Sequence, residues 1–292
     1  MVIVGRTEAQ RERILSEAFR LLHQIDGKIN CRIGTSEISR INQKGFEKPQ
    51  EISIETFELI QRSVEFFERT GGAFDITLLP LLKLWGFNEG DPHLPRPEEI
   101  QSFLPRVGSD HLLLDPKKRR VGLGISQMEI DLTAIARGYA CDQVIQFLKS
   151  RGVESALVNV GGTIRVFGRP PDGRPWRIGI PHPRDPTRTL RVLSLTEEAL
   201  STRSDNDQFF VVNGRRYSNL LNPRTGYPAN ESVTVSVVAP SALLADLLST
   251  SLFVLGPQKA PHLAHQFEDV RWYLTYFADG DRFKTLSSEP AA

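Results

Sequence analysis

One segment constrains this chain more than any other: Ala242-Leu-Leu-Ala-Asp246-Leu-Leu-Ser249-Thr250-Ser251-Leu-Phe-Val-Leu255. It reads as an apolar helix from about Ser241 to Leu255 that stops at Gly256, with one carboxylate and a hydroxyl cluster starting one turn later. A carboxylate in so apolar a helix is costly unless something compensates its charge. Positions i and i+4 share a helix face, so Asp246 and Thr250 can point at one object. Two readings are open. Either Thr250 or a distant backbone group hydrogen-bonds the carboxylate, or a hard cation sits there.

Two other segments carry helical periodicity. Glu8 to Asp26 repeats Ile14, Leu15, Ala18, Leu21, Leu22 and Ile25, and Ser53 to Thr70 repeats Phe57, Ile60, Val64 and Phe67 before Gly71-Gly72. Gly34 to Asn42 between them is expected as a polar connection. The most regular helix is expected over Asp131 to Gly152, and the breaker-rich run from Gly90 to Pro97 is a loop.

Strand texture follows at Ala156–Val160, Thr163–Phe167, Trp176–Ile180, Thr189–Leu195 and Phe209–Val212, and Asn213-Gly214 is a hairpin turn. A hairpin is also expected around Asp115-Pro-Lys-Lys. The order predicts an α+β fold with a largely antiparallel sheet. At 292 residues, folding buries roughly 75% of the unfolded chain's surface, so the core needs no disulfide or structural metal.

Charge and cysteine content exclude several classes. Thirty-six Lys and Arg against 35 Asp and Glu argue against a dedicated nucleic-acid binder, though not against a local cationic pocket. Cys31 and Cys141 fit neither a zinc motif nor a disulfide framework and are expected as small apolar residues. No stretch approaches the ~20 apolar residues of a membrane span, and Met1-Val-Ile-Val-Gly5 is too short for a signal peptide's apolar region. As written, the chain is expected in the cytoplasm, or in the periplasm or on a membrane anchor if a leader precedes it.

Three further motifs bear on chemistry. In Asp131-Leu-Thr-Ala134-Ile-Ala-Arg137, Asp131 can cap a helix and Arg137 can face a phosphate, although capping aspartates and solvated arginines are common. In Thr70-Gly-Gly-Ala73-Phe74-Asp75, paired glycines permit close approach to a ligand. The aromatics of Leu84-Trp85-Gly86-Phe87 either flank a flat ring or fill a core. Asn219-Leu-Leu-Asn222-Pro-Arg-Thr-Gly226 reads as turn chemistry.

Taken in order, these motifs, together with Ser36-Glu-Ile-Ser-Arg-Ile-Asn42 and Val158 to Ile164, resemble the ApbE-type FAD:protein FMN transferases from about Arg11 to Gly256. The resemblance implies an ApbE-like, T-fold-related unit over residues 1–292, of which 257–292 form a variable C-terminal extension. It implies transfer of FMN from FAD to a Thr or Ser hydroxyl of an acceptor flavoprotein, with release of AMP. Such acceptors are typically subunits of membrane redox complexes. It also implies a magnesium ion held by the Ala134 carbonyl, the Asp246 carboxylate and the Thr250 hydroxyl, with Ala73, Phe74, Asp75, Asp131, Arg137 and Asn219 around the flavin nucleotide.

Several positions depart from the family pattern. Arg137 stands where the family usually has Lys, Asn219 replaces a His and Asn222 an Asp, Arg32 replaces an aromatic, and Arg203-Ser204 replaces a small Ser-Gly pair. An amide cannot accept a proton at neutral pH, so any general-base role of that His is lost. The family's first strand is expected to be missing, since only Val2-Ile-Val-Gly-Arg precedes the first helix. Alongside the transferase, a non-catalytic FAD-binding protein and a pyrophosphatase splitting FAD into FMN and AMP are the readings to separate.

Overall fold

The computed structural model describes residues 1–278 and 282–289. β1 (Val2–Ile3) leads into α1 (Glu8–Ile29), opened by a reciprocal cap in which the Thr7 hydroxyl accepts from the Gln10 N–H and the Gln10 side chain accepts from the Thr7 N–H. The stretch expected as a polar connection instead contains α2 (Glu37–Lys44). Ser36 caps it by accepting from the Ser39 N–H, and Ile38 and Ile41 are buried. Two apolar positions in two turns are too few to register as a period.

β2 (Gln50–Glu51) precedes α3 (Ile54–Arg69), after which Gly71 and Gly72 adopt positive φ. α4 (Leu79–Leu84) and α5 (Pro97–Phe103) flank the expected loop. β3 (Leu112–Asp115) and β4 (Arg120–Leu123) form the expected hairpin, and β2 adds to it as a third strand.

The second half begins with α6 (Thr133–Ser150), β5 (Ala156–Val160) and β6 (Thr163–Phe167). A hairpin of β7 (Trp176–His182) and β8 (Asp185–Leu195) follows, then β9 (Ala199–Ser204). β10 (Phe209–Val212) and β11 (Arg215–Ser218) pair across the Asn213-Gly214 turn. β12 (Thr234–Ala239), α7 (Ala242–Ala264), β13 (Arg271–Phe277) and β14 (Phe283–Ser287) complete the order.

Seven strands form one sheet in the order β1-β5-β6-β9-β12-β13-β14, antiparallel throughout. A two-residue strand does form before the first helix: Val2 and Ile3 pair with Leu157 and Ala156 at the sheet edge. Within 257–292, β13 pairs with β12 and buries Trp272 and Leu274 in the main core; residues 279–281 and 290–292 lie outside the described residues.

α6 and α7 cover one face of this sheet, and the β7–β8 hairpin covers the other by packing Ile178, Ile180 and Leu195 on Val166, Leu200 and Val238. Alternation along β9 then sorts its side chains: Leu200 faces the hairpin, while Ala199, Ser201 and Arg203 face the helices. With both faces covered, β9 shows no alternation of apolar and polar residues and is not readable as a strand from its pattern, whereas Ser232-Val-Thr-Val-Ser-Val237, leading into and along β12, alternates despite the same cover.

The helices cross at Gly138, where a Cβ would lie 2.3 Å from the Ala242 carbonyl oxygen. Asp142 of α6 caps α7 at that crossing, accepting from the Ala242 and Leu243 N–H groups while pairing with Arg165. α7 breaks at Gly256 (φ 72°), as expected, and a second helical segment follows. Trp85 and Phe87 fill a separate core with Phe210 and Tyr217, which settles their two readings in favour of packing.

Candidate functional site

Where the first turn of α6, the middle of α7 and the end of β9 meet, a cleft opens. Ala73, Phe74, Asp75, Asp131, Ala134, Arg137, Asn219 and Thr250 all line it. Residues separated by up to 177 positions are thus neighbours around one space, and Asp246 lies directly beneath it with no exposed surface. A larger cavity of about 450 Å³ between α1 and α6 shares Thr133 and Arg137 with this cleft and has Arg32 on its wall. That volume falls in the range of ligand-sized pockets, roughly 300–1,000 Å³.

Asp246 is compensated by the fold. Its Oδ2 accepts from the Gly138 N–H at 2.6 Å, and its Oδ1 accepts from the hydroxyls of Thr163 at 2.8 Å and Ser201 at 2.6 Å. The distant backbone donor of one reading is Gly138, and Thr250 does not serve the carboxylate. The Gly138 N–H, one turn into α6, reaches across to α7 for this bond. The close crossing that only glycine permits makes that reach possible.

Arg203 is the residue that sequence reasoning noted only as a departure. Its Nε donates to Thr250 Oγ1 at 3.0 Å, one Nη donates to the Ala134 carbonyl at 2.6 Å, and the same Nη lies 3.4 Å from Asp246 Oδ1. The three oxygens expected to hold magnesium therefore do converge, and they converge on the guanidinium of a side chain that is only 7% exposed. Magnesium requires near-octahedral oxygen ligation at about 2.0–2.1 Å. With both Asp246 oxygens engaged by donors and Arg203 seated on the other two oxygens, this arrangement does not fit the ion.

Arg137 is the second cation of the cleft. It donates to the Gly161 carbonyl at 2.9 Å, and a Cβ on Gly161 (φ 55°) would lie 3.0 Å from its Nε, so the glycine turn after β5 sets where this side chain rests. Burial pulls the Arg137 guanidinium below its ordinary value; the neighbouring charge of Arg203 adds to this, while Asp246 and Asp207 oppose it. Asp131 accepts from the N–H and hydroxyl of Thr133, holding the start of α6.

The opposite wall has unfilled acceptors. Asp75 Oδ1 accepts from the Thr77 N–H and from the hydroxyls of Thr77 and Ser109, whereas Asp75 Oδ2 is buried without a partner among the described residues. Asn219 donates to Gln208, and its Oδ1 is likewise buried and unpartnered. Burial raises the Asp75 carboxyl above its ordinary value against the pull of those hydrogen bonds. Asp207, a lining residue the sequence reading missed, is exposed at the cleft rim, and partial desolvation there raises its carboxyl while Arg203 pulls the other way.

Of the remaining departures, Arg32 donates to Asn88, and Asn222 makes the expected turn by accepting from the Arg224 N–H. Arg224 ties that turn to the Gly71 carbonyl at 2.6 Å, which carries Asn219 toward the Ala73–Asp75 wall. Burial pushes the Cys31 thiol up to about 12 and the Cys141 thiol upward as well, as inert small residues require.

Fold and cleft together define a class: a helix-backed antiparallel sheet with a cation-floored cleft at the junction of two crossing helices, opening beside a ligand-sized cavity between α1 and α6. The chain belongs to the ApbE family, whose family model matches residues 2–274. The FAD:protein FMN transferase of Haemophilus influenzae is 33% identical over 292 residues, covering 97% of this chain and 84% of the relative. That of Vibrio cholerae is 33% identical over 260 residues, covering 88% and 77%. Among solved structures, the ApbE protein of Thermotoga maritima matches with a TM-score of 0.88 at 30% identity, covering 96% of this chain and 91% of that one. The Pseudomonas stutzeri flavinyl transferase ApbE, in its apo form, matches with a TM-score of 0.85 at 34% identity, covering 96% and 87%. Among the described residues, no helix is long and apolar enough to cross a membrane.

Proposed function

We propose that this chain transfers FMN from FAD to a Thr or Ser hydroxyl of an acceptor protein, releasing AMP. The observation that supports it most is the convergence of the Ala73–Asp75 wall, Asp131, Arg137 and Asn219 on one cleft lined by the buried Arg203 and the half-buried Arg137. The curated relatives carry the name FAD:protein FMN transferase.

The reaction is a substitution at phosphorus, in which catalysis is mainly positioning and neutralisation of developing charge. Arg137 and Arg203 supply that neutralisation at the pyrophosphate. The acceptor hydroxyl attacks the phosphorus of the FMN half, the bond to the bridging oxygen breaks, and AMP leaves with that oxygen. The hydroxyl proton needs an acceptor, and Asn219 cannot be one. Asp207 stands in the cleft wall, exposed to an incoming hydroxyl and with its proton affinity raised by partial desolvation, and we assign it that role.

Incubation with FAD and a peptide bearing Asp-x-x-(Ser/Thr)-Gly-Ala-(Ser/Thr) tests the proposal. A peptide–FMN adduct by mass spectrometry with stoichiometric AMP is expected. AMP with free FMN would make the chain a pyrophosphatase, and bound FAD with neither product would make it a binding protein.

A further inference from the structure

We propose that Arg203 is the resident cation of this cleft, standing in for a divalent metal, so that the protein binds the FAD pyrophosphate without one. This rests on the FAD reading above. It is carried by the placement of one side chain. The guanidinium bridges the Ala134 carbonyl, Thr250 Oγ1 and Asp246, the three groups on which a cation was expected.

The arrangement is built in rather than incidental. Arg203 and Ser201 leave β9 on the same face, two residues apart, and both reach the site: Ser201 satisfies Asp246 Oδ1 and Arg203 balances its charge. The antiparallel register of Arg203 with Val235 holds the strand in place from the other side. A guanidinium carries five N–H donors in a planar fork. Here Nε and one Nη hold the floor, and the other Nη makes no hydrogen bond among the described residues. As Arg203 lines the cleft, that free edge offers a phosphate oxygen a charge-assisted bond.

Arginine and a divalent ion exclude each other at this seat. A dication on the same oxygens would stand against a like charge, and Asp246 is the one carboxylate in contact with Arg203 among the described residues. For the metal to enter, Arg203 has to swing out of the contacts that bury it.

The test compares the full-length protein with R203S and R203K in FAD titrations followed by flavin fluorescence, in EDTA and in excess magnesium, and adds Mn²⁺ titrations without FAD followed by electron paramagnetic resonance. In the wild type, FAD affinity should differ by less than about twofold between the two conditions, with no Mn²⁺ bound at the site. R203S should lose roughly tenfold or more in EDTA, regain affinity with magnesium and bind Mn²⁺. R203K keeps the charge without the fork and should stay metal-independent with weaker binding.

Wild-type binding that requires magnesium would overturn the inference and leave the FAD reading standing. The same holds if the wild type fails to bind FAD while R203S with magnesium succeeds, since Arg203 would then be a plug. No FAD binding by any form under either condition would overturn both. Circular dichroism of each variant separates misfolding from lost binding, and R203K carries the test if R203S does not fold.

Discussion

Beneath the cleft, both oxygens of Asp246 are taken by Gly138, Thr163, Ser201 and Arg203, whereas in its wall Asp75 Oδ2 and Asn219 Oδ1 are buried with nothing to accept from among the described residues. Both regions are polar and out of water, and they differ in who supplies the partners. The floor is completed by folding, so its groups stabilise the native state. The wall retains acceptors that cost about 1–3 kcal/mol each while unpaired, and a ligand's donors recover that cost. Stability and binding should therefore separate along this line.

Asp246→Ala should have the largest effect, because it strands the buried Arg203 charge and three donors at once. Loss of about 3–5 kcal/mol is expected in urea denaturation. A loss below about 1 kcal/mol would mean that the floor is not the anchored region described. Gly138→Ala comes next: its methyl would press on the Ala242 carbonyl oxygen, and the two helices must part. A cost of about 1–3 kcal/mol is expected, together with weaker FAD binding, since the Gly138 bond to Asp246 lengthens.

In the wall, effects should move to binding and rate. Asn219→His restores a titratable ring beside the cleft and should raise the transfer rate several-fold above about pH 6.5, with the melting temperature nearly unchanged. An unaltered rate across pH would show that this position takes no part in proton transfer. Asp207→Asn should lower the rate and remove its rise with pH at a value above the ordinary carboxylate range, as the raised proton affinity of Asp207 requires.

The smallest expected change is in stability at Asp75. Burial raises its carboxyl in the folded state, so the native chain holds that proton more tightly than the unfolded chain does. Its contribution is most favourable below the unfolded value of about 3.9 and is lost as pH rises through the raised folded value. Asp75→Asn should therefore be stabilising at neutral pH by about 0.5–1 kcal/mol, and stability should fall less with rising pH in that window. The same variant should weaken FAD binding. A variant that loses stability and keeps full affinity would reverse the division between floor and wall.

Much of the cleft is legible in the sequence because its segments carry local marks. Asp131 opens a long periodic helix, Gly71-Gly72 ends another just before Ala73–Asp75, and Asp246 is the lone carboxylate of an apolar helix. The residues that complete the floor carry no such mark. Ala199-Leu-Ser-Thr-Arg-Ser204 carries no strand or helix period, yet it is a central strand covered on both faces. Alternation is the signal by which a strand is read, and double burial erases it. Thr163 and Ser201 resemble any other hydroxyl until a carboxylate is placed beside them.

The sequence by itself determined that Asp246 needs compensation, since one charge within a turn-by-turn apolar helix cannot be solvated by its own neighbours. Which group provides it was decided by tertiary structure alone. The donors to that carboxylate come from 45, 83 and 108 residues away, and the cation beside it from a strand with no visible period. Local pattern reaches one or two turns along the chain, while a buried charge is balanced by whatever the fold brings to within about 3 Å.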